Sequence, residues 1–153
     1  MPRTAVLDLE RFLPYRLSVL SNRISQAIAT RYAQRFALGV TEWRVVAVLG
    51  RYPGLSAGEV ATRTAMDKVA VSRAVARLLE RGLVERDTHD DDRRRSVLAL
   101  SRSGRCIYDE IAPLALDLER RLLSRLDAGE RASLDALLDK LGGGIARLAD
   151  DIG

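Results

Sequence analysis

The sequence predicts a mainly α-helical protein that carries one small β-hairpin. Three observations point there. Long segments at both ends of the 153-residue chain place apolar residues three and four apart, the spacing of one helix face. Between them lie two short amphipathic segments parted by a tight break. Directly after the second, two short strand-like runs flank THDDDRRRS, residues 88–96, a stretch without one apolar side chain.

The bulk numbers bound the reading. A chain of this length with 47% hydrophobic residues can bury a core as a single domain, built of Leu, Val, Ile and Ala because aromatics make up only 5%. No apolar run approaches the ~20 residues needed to span a bilayer. The start, MPRTAVLDLERFLPYRL, has early acids and no apolar h-region, so no signal peptide is expected. With a single cysteine, Cys106, no internal disulfide forms, and the chain reads as cytoplasmic. The net charge of +4 is unevenly placed: residues 62–105 hold 11 basic and 7 acidic side chains, leaving 14 of each elsewhere. A local basic excess is the footprint of a surface for an anionic polymer.

The elements follow in order. Phe12, Leu13, Leu17, Leu20, Ile24, Ala27 and Ile28 mark one helix over 9–35, with Pro14 either starting or kinking it. FALGV breaks it, and Thr41 is the expected N-cap of a second helix carrying Trp43, Val46, Ala47 and Leu49, which RYPGL ends. SAGE, residues 56–59, is a capping box opening a short helix. After a break at Ala65–Met66, Asp67 caps the helix KVAVSRAVARLLER. Its apolar stripe is Ala70, Val71, Ala74, Val75, Leu78 and Leu79, and Gly82 stands at its C′ position. The opposite face carries Lys68, Ser72, Arg73, Ala76, Arg77 and Glu80. Two short helices joined this way, the second with a small-polar and basic outer face, describe a helix-turn-helix.

LVERD and SVLALS are the two strands, and the charged stretch between them makes the pair a hairpin wing. Ser101 then caps a long helix through Ile107, Ile111, Leu114, Leu118, Leu122 and Leu126, with a bend expected at Pro113. DAGE, 127–130, is a second capping box; Leu134, Leu137, Leu138 and Leu141 line the last helix, which GGG at 142–144 is expected to stop, leaving IARLADDI for a last turn or two.

At DDRRRSVLALSRSG the chain resembles the MarR family of bacterial transcription regulators, which are winged-helix dimers. The matching wing positions are Asp92, Arg94, Leu98, Leu100, Ser101 and Gly104, with Ser101 where threonine is more usual. DKVAVSRAVARLLERGLVER is similar to the family's recognition helix entering the wing. The resemblance implies a single MarR-like domain over 1–153: a winged helix-turn-helix DNA-binding lobe at 36–101, and a helical dimerisation region at 8–35 and 102–153. It implies a homodimeric repressor on a pseudo-palindromic operator. Lys68, Ser72, Arg73 and Arg77 would meet bases or phosphates in the major groove, and the wing residues Asp92, Arg93, Arg94 and Arg95 the minor groove. It further implies release by a small aromatic acid or its thioester, for which Tyr15, Arg16, Arg23 and Trp43 are the candidate residues.

Enzyme chemistry finds no footing. His89 is the only histidine, and triads, zinc motifs and phosphate-binding glycine loops are absent, so neither metal nor cofactor is expected. His89 with Asp90–Asp92 is a poor cation site, because adjacent loop residues rarely close a coordination shell. Cys106 reads as a buried small hydrophobe, although Arg102 and Arg105 nearby keep a redox-sensing regulator as an alternative. A winged helix used for protein contacts is the other.

Overall fold

The computed structural model describes residues 4–88 and 96–152. Its elements are α1 (Leu13–Phe36), α2 (Val40–Arg51), α3 (Ala57–Thr64), α4 (Lys68–Glu80), β1 (Val84–Thr88), β2 (Ser96–Leu100), α5 (Arg102–Leu123) and α6 (Ala128–Ile152). One compact unit extends to Ala115 and a second begins at Leu116.

The core belongs to the first unit. Val45, Val46 and Leu49 of α2, Val60 of α3, and Val71, Val75 and Leu78 of α4 are buried together with Tyr32, Leu98 and Ile111. The stripe read from α4 is thus the buried face of the helix-turn-helix. Capping fixes its joints. Ser56 Oγ accepts from the Glu59 N–H at 3.1 Å while Glu59 accepts from the Ser56 N–H at 3.4 Å. Asp67 Oδ2 accepts from the Ala70 N–H at 2.9 Å. Gly82, at φ +70°, turns the chain out of α4 into the hairpin.

β1 and β2 pair antiparallel, with Val84 opposite Leu100 and Thr88 opposite Ser96. Leu55 adds a third rung: the Leu98 N–H donates to its carbonyl at 2.8 Å, and the Gly54 N–H donates to the Leu98 carbonyl at 2.9 Å. The hairpin therefore leaves the body of the fold at a fixed base. Ser101 ties that base to α5, accepting from the Gly104 N–H at 3.0 Å and donating to the Gly82 carbonyl at 2.6 Å. A Cβ on Gly104 would overlap the Leu83 carbonyl oxygen, which gives a steric reason for glycine there. The wing-tip residues His89–Arg95, including Asp92, Arg93, Arg94 and Arg95, lie outside the described residues.

Of the two placements expected for Pro14, the first holds: it lies in the opening turn of α1, which has no use for its missing N–H. Other expectations are corrected. Thr41 is not the cap of α2. The helix begins after Gly39, whose N–H donates to Glu42 Oε2 at 3.4 Å. α5 ends at Leu123, so Leu126 falls in the following turn. It runs unbroken across Pro113. Most plainly, GGG at 142–144 does not stop α6. Glycine costs about 1 kcal/mol per residue against alanine in a helix but does not forbid the conformation, and helix formers flank all three.

In the second unit, Asp127 and Glu130 form the expected capping box at 2.8 and 3.0 Å. Asp117 pairs with Arg120 and Arg121, and Arg131 Nε donates to the Leu123 carbonyl at 3.0 Å. α6 buries no residue; Leu137, Leu138, Leu141, Ile145 and Leu148 are exposed. Among the described residues no helix is long and apolar enough to cross a membrane.

Candidate nucleic-acid interface

Because Val71, Ala74, Val75 and Leu78, three and four apart, share the face that meets the core, the side chains between them, Ser72, Arg73, Ala76 and Arg77, face solvent. Lys68, Val69, Ser72, Arg73 and Ala76 line one shallow surface of about 330 Å³. The structure thus brings Lys68, Ser72 and Arg73 together as the sequence predicts, and adds Val69, which is 55% exposed. A valine out of phase with the stripe and three positions before Ser72 was the available signal for it.

Arg77 is placed differently. Its Nε donates to Glu42 Oε1 at 2.7 Å, while half of its side chain stays exposed. Glu42 is buried and also faces Arg81 Nη1 at 3.8 Å. Arg81 in turn donates to the carbonyls of Phe36 and Ala37 at 2.6 and 3.0 Å. These bonds close the end of α1, where Ala37 takes a left-handed conformation at φ +51°. One buried carboxylate therefore links α2 to the end of α4, and through Arg81 to the end of α1.

The four candidate ligand residues do not share one site. Tyr15, Arg16 and Arg23 line a groove along α1 with Leu13, Leu17 and Leu20. Trp43 lines a different cavity, of about 470 Å³, with Ser21, Ser25, Arg44, Val48 and Met66. The arginine beside the tryptophan is Arg44, whose Nη2 donates to Ser25 Oγ at 2.7 Å. Trp43 also stacks at an angle on Tyr32 and Tyr108, with ring centroids 5.8 and 6.2 Å away. The Tyr32 hydroxyl is buried and has no hydrogen-bond partner among the described residues. Burial pushes its phenol up from 10.0 to about 12; Arg44 works against that rise and Glu42 adds to it.

Cys106 is exposed rather than buried as expected, because it falls on the solvent side of α5. Among the described residues no cluster of His, Cys, Asp and Glu could hold a metal ion; His89 with Asp90–Asp92 lies outside them.

A buried three-helix lobe with a hairpin at its edge, presenting a basic helix face, defines a winged helix-turn-helix protein. Comparison with known proteins makes this specific. The MarR family profile matches residues 38–95. The HTH-type transcriptional regulator BilQ of Clostridium symbiosum is 33% identical over 97 residues, covering 63% of this chain and 67% of that protein. The crystal structure of a MarR/EmrR family transcriptional regulator from Acinetobacter sp. ADP1 superposes with a TM-score of 0.83 at 29% identity, over 92% of this chain and 99% of that one. BpsR of Bordetella bronchiseptica, whose DNA binding is regulated by 6-hydroxynicotinic acid, shares the fold at 22% identity with a TM-score of 0.76, over 90% of this chain and 98% of its own. The chain belongs to the MarR family and is a transcriptional regulator that binds DNA.

Proposed function

We propose that the protein is a homodimeric repressor whose α4 helices enter successive major grooves of a pseudo-palindromic operator, and that a small aromatic acid or its thioester releases it. The observation that carries the DNA reading is the exposed face of α4, where Lys68, Ser72 and Arg73 stand together opposite a wholly apolar face. The guanidinium of Arg73 suits the O6 and N7 acceptors of guanine, and Val69 suits the methyl of thymine. Arg77, its Nε committed to Glu42, has its outer nitrogens left for phosphate. In this reading the wing residues Asp92, Arg93, Arg94 and Arg95 take the minor groove, with Asp92 ordering Arg94.

Two copies are called for by the apolar surface each chain leaves open. α6 exposes Leu137, Leu138, Leu141, Ile145 and Leu148, and α1 exposes Leu13, Leu17 and Leu20, more than an isolated domain of this size leaves in water. The effector seat is the cavity holding Trp43 and Arg44: Arg44 with Ser25 supplies donors for a carboxylate, and Trp43 with Met66 an apolar wall. The regulation of BpsR by 6-hydroxynicotinic acid supports an aromatic acid as the ligand class.

A thermal-shift screen of aromatic acids and their thioesters, followed by operator release, tests the effector. A true effector raises the melting temperature of wild type but not of Arg44→Ala, and linkage requires operator DNA to weaken its binding by the same factor. Tight binding that leaves operator affinity untouched would exclude it.

A further inference from the structure

We propose that Arg63 and Arg51, held over the ring of Tyr52, form a clamp for the phosphodiester backbone beside the groove that α4 enters. The proposal rests on the DNA-binding reading above and adds a contact site outside both α4 and the wing.

Arg51 closes α2 and Arg63 lies in the last turn of α3. Their guanidinium carbons sit 4.8 and 3.9 Å from the centroid of the Tyr52 ring. All three side chains are exposed. Arg35, Arg77, Arg81, Arg120 and Arg121 each reach a carboxylate, but among the described residues Arg51 and Arg63 have none within ion-pair range. Two cations gathered on one ring repel each other, and an anion placed between them turns that repulsion into attraction. The ring holds each guanidinium by its face, so the donor edges are positioned before any partner arrives. A phosphodiester offers the two oxygens that such a fork binds in parallel.

Position favours DNA as the source of that phosphate. Arg63 lines a cleft of about 670 Å³ with Leu55, Ser56, Glu59, Thr62 and Lys68. Lys68 also belongs to the α4 surface that carries Ser72 and Arg73. The cleft and the recognition surface therefore meet at one lysine. The acid in the cleft, Glu59, accepts from the Ser56 N–H and is held at the helix cap.

Equilibrium binding to the operator and to an unrelated duplex, measured from 50 to 200 mM salt, tests the clamp. Arg63→Ala should lower the slope of log K against log salt by about 0.9, one phosphate's worth of counterion release. Between 200 and 50 mM salt, wild type should then gain about 3.5-fold more affinity than the variant. The ratio of operator to unrelated duplex should stay constant. Tyr52→Leu keeps both charges, so it should keep the wild-type slope while binding both duplexes more weakly. If wild type binds its operator but Arg63→Ala and Arg51→Ala keep its slope and affinity, the pair is a surface contact only and the clamp is wrong, while the DNA-binding reading stands. A changed operator ratio at constant slope would mean base reading and would equally overturn it. If wild type itself shows no salt-dependent DNA binding, both readings fall.

Discussion

Arg77 Nε lies 2.7 Å from Glu42 Oε1, joining the recognition helix to the first turn of α2. The next two residues of that turn, Trp43 and Arg44, line the cavity proposed for an effector. An effector seated as proposed would thus lie within one helical turn of the carboxylate that anchors α4, and moving Trp43 or Arg44 is the route by which it would act on DNA binding.

The Glu42–Arg77 pair should be measurable in stability. Arg77→Ala strips a buried carboxylate of its shortest partner, and half-exposure of the arginine trims the gain. The double-mutant cycle with Glu42→Ala should give a coupling of about 1–2 kcal/mol by denaturant unfolding. A coupling near zero would mean that the pair is incidental.

Arg73→Ala should behave in the opposite way. Its side chain is exposed and has no ion pair among the described residues, so stability should stay within about 0.5 kcal/mol of wild type. Operator affinity should fall by about 1–3 kcal/mol, with discrimination against scrambled DNA reduced. Unchanged discrimination would rule out base readout by this residue.

Two glycines should respond with opposite signs. Gly104→Ala drives a methyl into the Leu83 carbonyl where α5 meets β1, and should destabilise by about 1–3 kcal/mol. In Gly143→Ala the methyl meets nothing within 4 Å in the single chain, so helix propensity should add about 0.5–1 kcal/mol. A loss at residue 143 in thermal unfolding would show that a second chain packs closely there.

Tyr32 makes stability depend on high pH. Its folded pKa of about 12 lies above the ordinary 10.0, so the neutral phenol is the form the fold favours. Its contribution is complete below about pH 10 and is lost as pH rises towards 12. Tyr32→Phe removes both the titration and a buried hydroxyl without a partner. The variant should equal or exceed wild type by about 1 kcal/mol at neutral pH and lose less between pH 10 and 12. A clearly destabilised variant would mean that the hydroxyl has a partner in solution.

The features legible in the sequence were those set by neighbours along the chain. Ser56 with Glu59, Asp67 before α4 and Ser101 before α5 signal helix starts through partners three residues away. The stripe from Ala70 to Leu79 marked the buried face of α4 and, by subtraction, its exposed side. What escaped depends on contacts distant in sequence. α2 starts at Val40 where Glu42 meets Arg77, 35 residues on. Ser21 and Ser25 rather than Arg16 or Arg23 are the α1 residues that meet Trp43, because packing of α1 on α2 decides which turns face the cavity. GGG misled because glycine permits a turn without requiring one.

The central claim is that the α4 face of a two-fold dimer reads duplex DNA, and selection from a random duplex library tests it most directly. The wild-type protein should enrich a pseudo-palindrome whose half-sites are centred about 34–36 Å apart, bound by two chains per site. Arg73→Ala should fail to enrich the same sequence. Enrichment of no sequence, or of an asymmetric site bound by one chain and recovered equally by Arg73→Ala, would contradict the claim.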